Sequence, residues 1–248
     1  MFRRALDRLA RRLKAAWPAL AAIVILLAGS VGYWQWRAHN AQLERRLMAA
    51  STTEVSSHPD LVKYAARIAK PVFADECASC HGADMTGGKM IGAPSLVDHV
   101  TLYEDTVFHI ERTILYGVRT GQSKANDITA MPAYGQRGQL TKPDIEHVVA
   151  FMQQLSNLPH DQEAAALGRE VYAGRAACYD CHGGDGKGLT EYGAPDLTAN
   201  VWDYGGDPKS LYDSVYFGRH GIMPAWIGKL TLTQIRALAV YVHASRKP

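Results

Sequence analysis

The sequence contains the motif Cys-x-x-Cys-His twice, and this repeat limits the folds that the chain can adopt. Cys77-Ala78-Ser79-Cys80-His81 and Cys178-Tyr179-Asp180-Cys181-His182 each place two cysteines three positions apart, with histidine directly after the second. Together they hold all four cysteines of the 248 residues. Because the copies lie 101 positions apart, each has room for a domain of ordinary size around it.

The repeat continues on the C-terminal side of both cysteine pairs. Residues 92–96 align with residues 193–197 at the same offset, and Met131-Pro132 aligns with Met223-Pro224 at an offset of 92. Residues 141–152 then align with residues 231–242 at an offset of 90. We therefore predict two copies of one domain, at residues 58–157 and 161–248, after a linker of residues 37–57.

The last segment of each copy has the pattern of an amphipathic helix. Apolar residues recur at helical spacing within residues 145–152 and 235–242. Thr141 and Thr231 precede these segments and resemble the first residue of a capping box, with Asp or Gln three positions later. Residues 207–218 form another helical pattern that begins with Asp-Pro and ends at Gly. Since alternating strand patterns are scarce, we predict an all-α body.

The paired cysteines followed by histidine match the attachment signature of c-type heme. Two cysteines on one helical turn point the same way and can bond to the two vinyl groups of one porphyrin, while the next residue offers its imidazole to the iron. We therefore predict two covalently bound heme c groups. The thioether bonds are assigned to Cys77, Cys80, Cys178 and Cys181, and one axial iron ligand of each heme to His81 and His182.

Zinc, a redox-active dithiol and a structural disulfide are the alternatives for these cysteines. Zinc ribbons place their two cysteine pairs about 15 to 20 residues apart, far closer than here, and a thioredoxin-like site needs a βαβ setting. None of the three requires histidine twice at the same offset, so heme attachment is favoured.

Methionine is the candidate for the opposite axial position of each iron. Met223 is the one methionine of the second domain, and Met131 occupies the corresponding place in the first. A thioether opposite imidazole raises the reduction potential and fills the coordination sphere, which suits electron transfer. Core packing is the alternative role for a methionine. Met85 and Met90 follow His81 too closely to reach its far side, whereas His99 and His109 remain alternative ligands of the first heme.

The amino-terminal segment has the features of a membrane anchor. No charge occurs between Lys14 and Arg37, and 22 residues in a helix span about 30 Å of hydrocarbon. A basic stub, residues 1–16, precedes the predicted transmembrane helix, residues 17–36, so the positive-inside rule puts the stub in the cytoplasm. The predicted location is a bacterial inner membrane, crossed once, with both heme domains in the periplasm. A cleaved signal peptide is the alternative.

Charge distribution argues against nucleic acid as a partner. The net charge is +3, but residues 1–36 contribute +5 and residues 37–248 contribute −2. The body therefore has no basic cluster of the kind that follows phosphates, whereas its weak acidity could favour a basic donor cytochrome.

Several motifs, taken in order, resemble the membrane-anchored diheme subunit, called CcoP or FixP, of cbb3-type cytochrome c oxidases. They are Cys178 to Gly183, Gly193 to Leu197, Val201 to Gly206 and Gly218 to Trp226 in the second domain, and Phe73 to Gly82 and Met131 to Ala133 in the first. The resemblance covers roughly residues 58–245 and implies two tandem class I cytochrome c domains, which follow the single transmembrane helix predicted from the uncharged run. Many members have a longer membrane region, often with two spans.

The resemblance also implies partners. The chain would accept electrons from a periplasmic donor such as a soluble cytochrome c, and would pass them to a monoheme cytochrome c subunit and a catalytic heme-copper subunit that reduces oxygen. It would have no oxygen-reducing site of its own. A stand-alone membrane-anchored diheme shuttle and a diheme peroxidase are the alternatives, and the two Met-Pro pairs weigh against the peroxidase because it needs an exchangeable iron site.

Overall fold

The computed structural model describes residues 2–88, 91–98, 100–126 and 130–246. Within these ranges the regular structure is helical, and pairing between extended segments is limited to isolated bridges. The helices are α1 (Phe2–Ala49), α2 (Thr52–Ser57), α3 (Pro59–Glu76), α4 (Ala78–His81), α5 (Val107–Tyr116), α6 (Lys142–Leu155), α7 (Gln162–Ala173), α8 (Tyr179–His182), α9 (Pro208–Phe217) and α10 (Leu232–Ser245). The predicted all-α class is confirmed.

The chain divides into two compact units, Met1–Ala49 and Ala50–Pro248. The first unit is the single helix α1, which has Pro18 in its interior. Among the described residues, no helix is both long enough and apolar enough to cross a membrane. The predicted transmembrane helix at residues 17–36 is therefore not confirmed.

In the second unit, side chains fix the starts of the long helices. The Thr141 hydroxyl accepts from the backbone N–H of Asp144, whose carboxylate accepts from the backbone N–H of Thr141. Thr231 and Gln234 form the same reciprocal pair at the start of α10. Both predicted capping boxes are confirmed, and so is the helix α9, which begins after Asp207.

The final helices of the two repeats are exchanged. Helix α10, from the second repeat, packs against α3 and α5 of the first repeat. Helix α6, from the first repeat, packs against α7 and α9 of the second. Each compact lobe thus contains parts of both repeats. We call α3, α4, α5 and α10 the first lobe, and α6, α7, α8 and α9 the second lobe.

Polar and aromatic contacts join the exchanged helix α10 to the first lobe. The Arg236 guanidinium donates to Glu111 Oε2 on α5 at 2.7 Å. The rings of Tyr241 on α10 and Phe73 on α3 meet edge to face, with their centroids 6.3 Å apart. The exchange is therefore fastened both at α5 and at the helix that leads into the first cysteine pair.

Equivalent contacts join α6 to the second lobe. Phe151 on α6 meets Tyr172 on α7 edge to face at 5.2 Å, and Arg175 forms an ion pair with Asp144. At Gly168 a side chain would overlap the backbone of His147, so α6 and α7 approach as closely as the glycine permits. The buried cluster here combines residues 140–152 with residues 171–176.

Candidate heme-binding sites

Each cysteine pair lies on a single helical turn. His81 and Cys80 both donate their backbone N–H to the Cys77 carbonyl, at 3.0 and 3.1 Å, and the second pair repeats this turn. Residues three apart on a turn lie on one face, as bonding to one porphyrin requires. All four thiols are free. The pKa of Cys178 is raised to about 11, mainly because the thiol is buried and also because the Cys181 sulfur is close. This sulfur is therefore protonated at neutral pH.

Both histidines are held by the same kind of hydrogen bond. His81 Nδ1 lies 3.0 Å from the Pro94 carbonyl, and His182 Nδ1 lies 3.1 Å from the Pro195 carbonyl. A carbonyl oxygen only accepts, so Nδ1 carries the proton and Nε2 is left as the ligating atom. Burial lowers the pKa of both imidazoles, which favours the neutral form that binds a metal. These histidines fit axial ligation of heme iron.

The two Met-Pro segments are paired with the opposite repeat. The Met223 N–H and carbonyl pair with Val118 of the first repeat at 3.2 and 3.0 Å, and those of Met131 pair with Arg219 of the second repeat at 2.9 and 3.1 Å. Gly117 and Gly218 precede the two partner residues and have φ of +76° and +69°. A Cβ at either glycine would overlap the carbonyl oxygen of Met223 or Met131 respectively, so only glycine allows this approach.

Met131 lies in the second lobe, with the second cysteine pair. Its side chain packs on the buried cluster of α6 and α7, against which Cys178 also packs. Tyr134, three residues later, donates its hydroxyl to the Ala176 carbonyl at 2.8 Å. The pKa of Tyr134 is raised to about 12, mainly because the phenol is buried and also because the Cys178 sulfur is close. The loop that carries Met131 therefore faces the motif that ends at His182.

Met223 lies in the first lobe by the same symmetry. The loop that carries it hydrogen-bonds to the end of α5, where the backbone N–H groups of Trp226 and Ile227 donate to the Ile114 and Leu115 carbonyls at 3.1 and 3.0 Å. Arg119 donates its Nε to the Gly221 carbonyl at 2.6 Å. The loop is thus held against the helix that follows the first cysteine pair in sequence.

A large, mainly apolar cavity of about 460 Å³ joins these groups. All the predicted thioether and axial residues line it: Cys77, Cys80, His81, Met131, Cys178, Cys181, His182 and Met223. An apolar cavity flanked by imidazole, thioether and thiol groups fits the chemistry of a covalently attached porphyrin. The sequence-predicted residues are therefore brought together, but in crossed pairs: His81 in the lobe of Met223, and His182 in the lobe of Met131.

The alternative ligands of the first heme are distributed differently. Met85 is buried, and its carbonyl accepts from the backbone N–H of Leu96 at 2.8 Å, so it serves core packing. His109 lines the cavity, with its Nδ1 2.8 Å from Thr106 Oγ1. Met90 and His99 lie outside the described residues.

Two cavity-lining residues were missed in the sequence. Asp203 lies within the Trp-Asp-Tyr segment, and burial, followed by the neighbouring Asp98 carboxylate, raises its pKa to about 6. Arg246 follows α10 and turns into the cavity. No spacing pattern marks either residue, because each owes its environment to a neighbour far away in the sequence.

Comparison with known proteins identifies the family to which the chain belongs. The family model described as cytochrome c oxidase, cbb3-type, subunit III matches residues 65–152 and 163–242, which together are more than half of the chain. The cbb3-type cytochrome c oxidase subunit FixP of Bradyrhizobium sp. (strain ORS 278) is 40% identical over 199 residues, covering 80% of this chain and 67% of the relative.

Two further relatives are similar over comparable lengths. Subunit CcoP of the cbb3-type cytochrome c oxidase of Cereibacter sphaeroides is 35% identical over 204 residues, covering 82% of this chain and 69% of the relative. Subunit FixP of Azorhizobium caulinodans is 37% identical over 242 residues, covering 92% and 79% respectively. Given its two cysteine-histidine turns and these matches, the chain belongs to the family of subunit III of cbb3-type cytochrome c oxidases.

Proposed function

We propose that the protein is a diheme electron relay of a cbb3-type oxidase. Two heme c groups, when bound, supply one-electron carriers with axial imidazole and thioether ligands. Cys77 and Cys80 tether the first heme, and Cys178 and Cys181 tether the second. The observation that carries this proposal is the shared apolar cavity, which both cysteine turns, both histidines and both methionines line.

The axial pairs of this proposal are crossed between the repeats. Met223 serves the heme that is tethered beside His81, and Met131 serves the heme that is tethered beside His182. Backbone pairing of Met223 with Val118, and the packing of Met131 on the cluster that holds Cys178, support this assignment. Either repeat taken alone would supply the cysteines and histidine of one heme and the methionine of the other.

If His81 and Met223 hold one iron and His182 and Met131 hold the other, neither iron would offer an exchangeable position for oxygen or peroxide. The protein then transfers electrons without rearranging bonds in a substrate. It accepts electrons from a periplasmic donor cytochrome and delivers them to a monoheme cytochrome c subunit and the catalytic heme-copper subunit. The diheme peroxidase is disfavoured because each lobe has a methionine loop of its own.

Residues 17–36 form the proposed membrane anchor. The uncharged run between Lys14 and Arg37 supports it, as does the exposure of the aliphatic side chains from Ile23 to Leu27 on α1. Trp17 and Trp36, at the two ends, suit the headgroup depth of a bilayer. A single crossing with the basic stub in the cytoplasm puts both heme lobes in the periplasm.

Single-heme variants test the crossed ligands. Replacing Cys77 and Cys80 by serine leaves one heme, in the second lobe. In that background we expect Met131→Ala to abolish the His–Met charge-transfer band of the ferric protein and to open the iron to carbon monoxide, while Met223→Ala leaves both unchanged. Replacing Cys178 and Cys181 instead should reverse the roles of the two methionines. The opposite result in either background would establish ligation within each repeat.

Two measurements test the wider function. Mass spectrometry of the intact chain should show two heme additions on a polypeptide that begins at or near Met1, whereas a start after Ser30 would contradict the anchor. Purification in mild detergent should give co-elution with a heme-copper subunit and oxygen uptake from a reduced donor cytochrome. A diheme chain that always elutes alone would indicate the independent shuttle.

A further inference from the structure

Arg246 is a charged residue on the wall of an apolar cavity. It caps the C-terminal end of α10, and Val242 and Leu238 line the same cavity one and two turns earlier, respectively. Because residues four apart share a helix face, the guanidinium extends the face with which α10 covers the first lobe. Only 14% of its side-chain surface is exposed.

The guanidinium of Arg246 has donors that the described residues do not satisfy. Its Nη1 and Nε are both closed to solvent and lack a hydrogen-bond partner among these residues. Nε lies 3.0 Å from Asp105 Oδ1, which is close enough for an ion pair, yet it is not aligned for a hydrogen bond. A buried donor left without an acceptor is destabilising, and more so when it is charged. Although Asp105 pairs with the charge, Nη1 still lacks an acceptor, and an anionic acceptor fits it best.

The repeat shows that the fold itself does not require an arginine here. The helix offset of 90 aligns Arg246 with Ser156, and aligns Leu238 and Val242 with Val148 and Met152, which also line the cavity. Ser156 is satisfied internally, because its hydroxyl lies 2.6 Å from the Leu197 carbonyl. The second lobe thus closes this position with a neutral residue, whereas the first lobe places a positive charge there.

The other arginines that line the cavity are already engaged. Arg119 donates to the Gly221 carbonyl at 2.6 Å. Arg219 donates to Ser214 Oγ, and its guanidinium lies 3.9 Å from the centre of the Tyr204 ring. Arg246 therefore differs from both in having a buried nitrogen that is available to a ligand.

We propose that Arg246 binds a propionate carboxylate of the heme that is tethered to Cys77 and Cys80. This rests on the proposed attachment of heme at that motif. A planar guanidinium matches a carboxylate with two parallel hydrogen bonds, and such charge-assisted bonds are strong in apolar surroundings. Arg246 is then a positioning residue: it anchors one edge of the first heme and offsets a negative charge close to its iron.

Offsetting that charge changes the reduction potential of the first heme, whereas a purely structural role of Arg246 would not. The negative propionate favours the ferric iron, so pairing it with a cation favours the ferrous form. For two unit charges about 12 Å apart at an effective dielectric constant of about 20, the change amounts to roughly tenfold in the equilibrium constant for reduction. For a one-electron couple this is about 59 mV.

The test is redox potentiometry of Arg246→Gln in the full-length protein and in both single-heme backgrounds. We expect the midpoint potential of the first heme to fall by about 59 mV, the equivalent of tenfold, while that of the second heme stays unchanged. Arg246→Lys keeps the charge and should recover most of the fall. Lys70→Gln, on the exposed side of α3 in the same lobe, removes the same charge away from the cavity and serves as the control.

The outcomes separate this proposal from the attachment of heme itself. A chain without covalent heme would overturn the function and is detected by mass before any titration. A protein with two hemes in which Arg246→Gln leaves the first potential unchanged would overturn the role of Arg246. So would equal shifts of both hemes, or a shift no larger than that of Lys70→Gln.

Discussion

Replacing Arg236 by methionine tests the exchange of helices, because this residue joins α10 of the second repeat to α5 of the first. The Arg236 side chain is 9% exposed and its partner Glu111 is 20% exposed. The guanidinium also donates to the Ala50 carbonyl. Removing it strands a largely buried carboxylate and a carbonyl, and breaking a buried pair in this way costs about 3 to 5 kcal/mol. Since Glu111 retains some contact with water, we expect about 3 kcal/mol.

The assay is urea unfolding followed by far-ultraviolet circular dichroism, for Arg236→Met, Glu111→Gln and the double variant. The double-mutant cycle isolates the interaction between the two side chains, and we expect a coupling of about 1 to 3 kcal/mol. Lys142→Met with Glu146→Gln is the matched control. Those side chains are 74% and 54% exposed, so their coupling should be about 0.3 to 0.5 kcal/mol. A coupling for Arg236 and Glu111 no larger than that of the control would refute the packing of α10 on α5.

Two further variants examine the interior of the fold. Asp203→Asn should stabilise the protein by up to about 3 kcal/mol at pH 7.5 and by less than about 1 kcal/mol at pH 4, as measured by urea unfolding at both values. The pKa of Asp203 in the folded protein, about 6, lies above its value in the unfolded chain. The contribution of this carboxyl group to stability is therefore most favourable below pH 4 and falls as the pH rises through 6. An equal gain at both pH values would contradict this. Gly168→Ala places a methyl group against the His147 backbone and should lower the free energy of unfolding by about 1 to 3 kcal/mol. Gly184→Ala is the control and should cost less, because a Cβ there meets open space. Equal losses in the two variants would argue against close contact of α6 and α7.

The helices and their buried faces could be predicted because they depend on short-range information. A capping box is closed by residues three apart, and the apolar spacing from Ile145 to Met152 identifies the face that the structure buries. The turn that carries Cys77 and His81 is local for the same reason. These features depend on a few neighbouring residues and do not depend on the lobe in which the segment packs.

The partner of each helix could not be predicted from the same patterns. Periodicity indicates which face is buried but says nothing of what buries it, and α6 and α10 offer similar apolar faces to similar partners because they are copies of one segment. The distinction between them lies in single long-range contacts, such as Arg236 with Glu111 and Tyr134 with the Ala176 carbonyl. Arg246 escaped notice for this reason too, since its ion-pair partner Asp105 lies far away in the sequence.

The exchange of α6 and α10 also implies an order of folding as the exported polypeptide emerges from its N-terminal side. The second lobe needs only contiguous sequence, from the Met131 loop to α9, and can close before the rest of the chain has emerged. The first lobe begins earlier but waits for α10, so the oldest part of the nascent chain is the last to mature. A nonsense codon shortly before Leu232 would therefore prevent folding of the first lobe, which lacks α10, and leave the second lobe intact.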